Sequence, residues 1–289
     1  MKRRHFIKSA VIASGAISLA HFPYHLYAAT KKKYAHDRVM LGNSGIEVSR
    51  IAMGTGTNGG RKSSAQTRQL GIKGLSDFLY AAFDEGINFW DSADAYGSHP
   101  HLKEALKHVD REKVVILSKT RAGTAEEMKS DLERFKKEIG TDYIDIILLH
   151  AITNPNWRED LKDSMEVLSE AKEKGIVRML GISCHSLSAL EEAAEEPWVE
   201  IDMARWNPAS VRMDGEVEVV ENVLTKMKKN GKSIIGMKVL GQGDLIDRKD
   251  ECLQFQLGSE FIDCFTIGFE NYDQFKDIQK RIPEASIRG

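Results

Sequence analysis

At 289 residues, 42% hydrophobic and 29% charged, the chain can bury a substantial core as one large domain or two small ones. A formal net charge of −2 gives no support for a nucleic-acid surface. Cys184, Cys252 and Cys264 form no CxxC and have no histidine at zinc-finger spacing, which argues against a structural metal or an iron–sulfur cluster. Buried thiols are the simpler expectation, with a Cys252–Cys264 pair as the alternative in an oxidising compartment.

The chain opens on Lys2-Arg3-Arg4-His5-Phe6-Ile7-Lys8, followed by the apolar stretch Ala10–Leu19 and the small residues of Tyr27-Ala28-Ala29. This order of charge, short apolar run and small-residue site describes an export signal over residues 1–29. The apolar run falls short of the roughly 20 residues a membrane span needs, so no stable span is expected after cleavage. The paired arginines before Phe-Ile-Lys resemble a twin-arginine signal. That resemblance implies the twin-arginine machinery as a partner, a periplasmic or otherwise exported location, and a cofactor held tightly before export. Residues 30–37, with the run Lys31–Lys33, read as a solvated linker.

From residue 38 to 289 the pattern becomes regular. Val39–Leu41 and Glu47–Ser49 flank Gly42-Asn43-Ser44-Gly45, a β-hairpin signal. Ile51–Met53 reads as a strand, Leu75–Glu85 as a helix ended by Gly86, and Ile87–Trp90 as a strand. His101–Lys107 is a short helix and Val114–Lys119 a strand. Thr124 and Glu127 form a capping box for a helix through Glu138, stopped by Gly140. Tyr143–Leu149, Val177–Ile182 and Val199–Ala204 are strands, separated by helices at Glu159–Lys174 and Leu187–Glu195. A helix at Val217–Lys229 precedes the strand Ser233–Met237, and a helix at Lys249–Gln256 the strand Ile262–Ile267. Tyr272–Lys280 is the last helix.

Apolar strands alternating with amphipathic helices imply a parallel sheet covered by helices. Eight such pairs in about 240 residues fit an α/β (β/α)8 TIM barrel with an N-terminal β-hairpin. A doubly wound open sheet is the alternative. It would carry GxGxxG opening a helix, whereas Gly54-Thr55-Gly56-Thr57-Asn58-Gly59 leads into the polar run Arg61–Arg68 and reads as a loop over the barrel mouth.

Asp91, Lys119 and His150 each fall where a strand ends, and Tyr96 follows Asp91 by five residues. In a parallel barrel these ends converge at the C-terminal mouth. A tyrosine beside a lysine and a histidine is equipped to donate a proton to a carbonyl oxygen.

These segments resemble the aldo-keto reductase superfamily from about Val39 to about Lys280. Leu41–Ser49 and Gly86–Gly97 carry the resemblance, and Ser118-Lys119-Thr120, Ile147–His150, Gly181-Ile182-Ser183 and Trp206-Asn207-Pro208 follow in family order. Gly236–Gly241 and Ile267–Glu270 look most like a poorly characterised branch that often carries a C-terminal iron–sulfur domain, here missing with its cysteines.

The resemblance implies an oxidoreductase that moves hydride between a nicotinamide dinucleotide, NAD or NADP, and a small polar carbonyl or alcohol, with a sugar-like molecule among the candidates. Tyr96 is the expected general acid. Lys119 would lower its pKa, Asp91 would hold Lys119, and His150 would orient the carbonyl; no metal is needed. Cofactor contacts are expected from Gly54, Thr55, Ser183, Met237, Lys238, Leu240, Gly241, Gly268, Glu270 and Asn271. Candidate substrate contacts are Asn58, His99, Trp157, His185, Arg205 and Trp206.

The sequence departs from the family at the cofactor. Cys184, Met203 and Met237 stand where an amide, a glutamine and a stacking tyrosine are usual. Lys238 either approaches the pyrophosphate or pairs with Asp244 or Asp247. Glu270 stands near the place of the basic residues that bind a 2′-phosphate, which tilts toward NAD over NADP or toward no dinucleotide; it reads equally as a plain charge at a helix N-terminus. The chain ends soon after its last helix, so a more open site is expected. The competing reading is a barrel without turnover that serves as a binding or partner protein. A metal-dependent hydrolase lacks its His-x-His strand.

Overall fold

The computed structural model describes residues 32–287; the expected export signal lies outside the described residues. Among those described, no helix is long and apolar enough to cross a membrane. Residues 32–37, expected as a solvated linker, lie against the barrel. Lys33 donates from its backbone to Ser286 Oγ at 3.0 Å and from Nζ to the Leu257 carbonyl at 2.6 Å. Ala35 is buried, and its carbonyl accepts the Ile51 N–H.

Strands β1 (Arg38–Met40) and β2 (Glu47–Ser49) pair antiparallel. Their turn uses Gly42 and Gly45 at φ 51° and 71°, a region where a Cβ is strained. The hairpin closes the barrel floor: Leu41, Ile46 and Val48 pack with Phe89, Leu148 and Ile201 inside it.

Eight strands then close in chain order into a parallel barrel. They are β3 (Ile51–Gly54), β4 (Phe89–Asp91), β5 (Val115–Thr120), β6 (Ile144–Ile152), β7 (Val177–Cys184), β8 (Ile201–Arg205), β9 (Ser233–Met237) and β10 (Cys264–Gly268). β10 pairs back onto β3. Because successive side chains on a strand face opposite ways, each strand serves two cores. Phe89, Leu117, Leu148, Met179 and Ile235 fill the barrel interior. Their neighbours Trp90, Ile116, Ile147, Leu180 and Ile234 face outward into a larger cluster under the helices.

The helices are α1 (Ala65–Asp84), α2 (His99–Ala105), α3 (Ala125–Ile139), α4 (Trp157–Asp160), α5 (Lys162–Glu173), α6 (Leu187–Glu195), α7 (Val217–Lys229), α8 (Lys249–Gly258) and α9 (Tyr272–Ala285). The capping box at Thr124 and Glu127 forms as expected, and Gly140 ends α3 at φ 76°. Two elements differ from expectation. The single helix expected from Glu159 is broken at Leu161 into α4 and α5. The polar run expected as part of a loop instead begins α1 at Ala65, under a second capping box made by Ser64 and Thr67. Gly71, at φ 62° and ψ −176°, kinks α1 and breaks the periodicity that would have revealed its first turns. All three cysteines are buried free thiols.

Candidate active site at the barrel mouth

The interior parity of each strand continues upward to the site. Two residues beyond Phe89 comes Asp91, two beyond Leu117 comes Lys119, and two beyond Leu148 comes His150. All three are buried, Lys119 to 1% exposure. A lysine so deep needs partners, since an unpaired buried charge costs several kcal/mol (about 3–5). Lys119 Nζ is ion-paired with Asp91 Oδ1, donates to the Ser92 carbonyl at 2.8 Å and reaches Tyr96 Oη at 3.5 Å. The other Asp91 oxygen accepts the Thr266 hydroxyl at 2.8 Å.

Tyr96 ends the short 3-10 turn Asp94–Tyr96, which Gly97 terminates in the left-handed region. Its ring lies under the loop after β3. A Cβ added to Gly56 would stand 2.3 Å from the ring, and one added to Gly59 2.5 Å. This glycine pair therefore lets backbone lie flat against the tyrosine. The His150 ring meets Tyr96 edge-on, with centroids 5.6 Å apart and planes at 88°. A register shift between Leu149 and Ile152, with Ala151 at φ 58°, sets the direction of His150.

The charges fix the protonation states. Burial pushes the Tyr96 pKa up, Lys119 pulls it down, and burial wins. The expected lowering by Lys119 is thus present but outweighed; Tyr96 holds its proton firmly at neutral pH. Burial opposes the charge on Lys119, but Asp91 and Tyr96 outweigh it and raise its pKa. Burial, then the positive charges of Lys119 and Arg121, push His150 down to about 2. Its Nδ1 is buried without a partner among the described residues. Burial and Arg205 bring His185 down to about 3. Both histidines are neutral hydrogen-bonding groups.

A cavity of about 720 Å³ runs from Tyr96 and His150 across the mouth to Glu270 and Gln274 at the start of α9. Of the expected cofactor residues, Gly54, Ser183, Met237, Lys238, Leu240, Gly268 and Glu270 line it. Thr55, Gly241 and Asn271 stand outside the lining. Thr55 Oγ1 donates to the Asp91 carbonyl at 2.9 Å, Gly241 accepts from Arg212 in its turn, and the Asn271 side chain caps α9 by accepting from Gln274 N. Lys238, at φ 52°, is paired with neither Asp244 nor Asp247; Asp244 pairs with Arg212. Cys184 is buried behind the barrel near Asp202, so the missing amide leaves no thiol in the cavity. Met203 and Met237 do line it.

Of the candidate substrate residues, Asn58 and His185 line the cavity. Asn58 Oδ1 accepts from Gln242 Nε2 at 2.6 Å, joining two loops distant in sequence. The other four lie elsewhere. Trp157 is buried in the outer core. Trp206 stacks on Phe255 with centroids 4.6 Å apart and donates to Ser259 Oγ. Arg205 is ion-paired with Asp214. His99 bridges Ser118 and Glu138, each at 2.8 Å. These four are occupied by packing or by internal partners, a distinction that sequence position alone does not carry. Asp94, His99 and Glu138 come close enough to hold a cation, but Arg134 already bonds both carboxylates.

Sequence reasoning missed Thr266, Gln242 and Arg121. Thr266 had a signal, since it shares the inward parity of Cys264 on a strand ending at the mouth. Arg121 had only its place one residue past β5.

Comparison with known proteins matches residues 50–279 to the Aldo/keto reductase family. Among curated relatives, Aldo-keto reductase YhdN of Bacillus subtilis is 29% identical over 169 residues, covering 52% of this chain and 48% of the relative. Probable aldo-keto reductase 1 of Glycine max is 27% identical over 223 residues, 71% of this chain and 60% of the relative. The NADH-specific methylglyoxal reductase of Escherichia coli is 26% identical over 205 residues, 62% of each. The chain thus spans about half to three-fifths of the length of these relatives. A solved putative aldo-keto reductase from Pseudomonas aeruginosa shares the fold with a TM-score of 0.72 at 23% identity, covering 88% of this chain and 97% of that one.

Proposed function

The chain belongs to the aldo/keto reductase family, and from that premise we propose that it is an NAD(P)-dependent oxidoreductase acting on a small polar carbonyl or the corresponding alcohol. The observation that carries this reading is the chain of contacts Asp91–Lys119–Tyr96, with His150 beside the tyrosine, at one end of an elongated cavity. The cavity fits a dinucleotide. Its lining includes Ser183 and Met237, the cation Lys238 and the polar residues Glu270 and Gln274 beside Tyr96 and His150. When bound, the reduced nicotinamide supplies the hydride.

The protein's own groups do the rest. Tyr96 keeps its proton until charge develops on the carbonyl oxygen, then donates it. Lys119 stabilises the phenolate left behind, and Asp91 and the Ser92 carbonyl hold the ammonium in place. Neutral His150 donates a hydrogen bond that orients the carbonyl. In the oxidative direction the same groups act in reverse.

Glu270 supports NAD over NADP, because a carboxylate accepts from a free 2′-hydroxyl and repels a 2′-phosphate. The Asn58–Gln242 bond between loops bordering the groove supports tight retention. The N-terminal paired arginines support export by the twin-arginine route after the cofactor is loaded. A Lys-Lys replacement at Arg3-Arg4 should then trap the protein in the cytoplasm, and normal export would remove that route.

The decisive experiment is titration of the purified protein with NADH and NADPH, followed by turnover with a panel of small aldehydes and ketones. Binding with consumption of reduced dinucleotide supports the enzyme. Failure to bind either dinucleotide would turn the assignment to a barrel used as a binding protein.

A further inference from the structure

Arg121 follows the last residue of β5 and lines the cavity with Tyr96 and His150. Its guanidinium makes no ion pair or hydrogen bond among the described residues. Most other cations around it are taken: Lys119 by Asp91, Lys62 and Arg134 by Asp94, Arg205 by Asp214; Lys238, which shares the cavity, follows β9 on the cofactor side. Lys249, at the far end, is held by Asp277.

Topology separates Arg121 from the dinucleotide. In the closed ring β5 stands between β4, which leads into Tyr96, and β6, which carries His150. It lies three strands from β10 and four from β9, the strands that present Gly268, Met237 and the approach to Lys238. The groove for the cofactor therefore runs away from Arg121, beyond the proton donor. The carboxylates on neighbouring elements already have partners: Asp91 holds Lys119, Asp131 bonds Thr120 and Arg134, and Asp94 is shared between Lys62 and Arg134. The positive charge of Arg121 reaches His150 and His185, helping to keep both neutral.

An unpaired guanidinium on the far side of the hydride-accepting position has a specific use. Its planar fork matches a carboxylate with two parallel hydrogen bonds. We propose that Arg121 seats a carboxylate on the substrate, so that the enzyme's substrates are oxo acids or aldehyde acids. A single guanidinium balances a single negative charge, which favours carboxylate over a phosphate dianion. His185, neutral and in the same cavity, is placed to hydrogen-bond a neutral part of the same molecule. This inference rests on the reductase reading for its chemistry, but the anion seat is a separate property of the cavity.

The test uses the full chain and two aldehydes of similar shape, 4-carboxybenzaldehyde and 4-nitrobenzaldehyde. Their binding is measured by calorimetry with oxidised dinucleotide present, so that no reduction occurs, and kcat/KM is measured separately. Arg121→Gln should weaken 4-carboxybenzaldehyde binding by about 10- to 100-fold more than it weakens 4-nitrobenzaldehyde binding. Arg121→Lys should recover part of the difference. The ratio of kcat/KM values should move in parallel. Equal losses for both aldehydes, no measurable binding of the carboxylate, or the same selective loss in Lys238→Gln but not in Arg121→Gln would each overturn the proposal. Arg121-dependent carboxylate binding with no reduction of either aldehyde would uphold the anion seat and reject the reductase reading.

Discussion

The floor and the mouth of the barrel interior are built from the same strands, one step of two residues apart. Phe89, Leu117 and Leu148 pack the lower layers; Asp91, Lys119 and His150 stand above them. At the floor the side chains are apolar and the hairpin residues Leu41, Ile46 and Val48 seal them from below. At the mouth the same inward direction presents charge. The difference teaches that burial alone does not decide residue type. A side chain in the lower layers is specified by volume, whereas Lys119 is specified by its bonds to Asp91, Ser92 and Tyr96. The two layers should therefore fail in different ways.

The sharpest separation is Tyr96→Phe. Removing one hydroxyl should cut carbonyl reduction by about 10²–10⁴-fold, with dinucleotide affinity and melting temperature unchanged. Turnover within a few-fold of the parent would remove Tyr96 as the proton donor. Its counterpart in the floor is Leu148→Ala. Urea unfolding should show a loss of about 2–5 kcal/mol, while the folded fraction still turns over. If turnover is lost without loss of stability, the layers are coupled and the comparison fails.

Gly56→Ala probes the join between the two. Its Cβ would lie 2.3 Å from the Tyr96 ring, so loop and ring cannot both stay where they are. A stability loss of about 1–3 kcal/mol is expected from the overpacking, together with a fall in kcat from the displaced tyrosine. A variant with parental melting and kcat would show that the loop gives way freely and does not position the ring.

The remaining effect is in pH dependence and vanishes at neutral pH. His150 is depressed to about 2 in the folded protein, against an unfolded value of about 6.5. As pH falls below about 6.5, the unfolded chain binds this proton first, so the stability contributed by neutral His150 is full above that pH and declines toward about 2. At pH 5 the decline from this group is about 2 kcal/mol. His150→Gln should flatten the loss of stability between pH 7 and 5 by that amount, read from unfolding curves at both pH values. Identical pH slopes in parent and variant would show that His150 titrates normally.

The barrel was legible because its signals are local. Short continuous apolar runs marked the strands, helical spacing marked the helices, and Thr124, Glu127 and Gly140 marked the ends of one of them. The beginning of α1 was hidden because Gly71 interrupts the period just where the polar run becomes helical. At the site, Asp91, Tyr96, Lys119 and His150 were legible from strand ends and family order. Arg205 and Arg121 were not distinguishable in the same way. Each is an arginine at a barrel strand's end, yet one meets Asp214 and the other faces the cavity alone.

The sequence by itself determined the order of strands and helices and which strand residues share the inward face of Asp91, Lys119 and His150, since strand parity depends only on neighbours along the chain. The tertiary structure alone decided which polar groups there are satisfied and which are free. It placed Thr266 against Asp91 across 175 positions of sequence and Gln242 against Asn58 across 184. It also set burial above the pull of Lys119 in fixing the Tyr96 proton. Pairing and desolvation depend on distances between segments far apart in the chain, and those distances exist only once the barrel has closed.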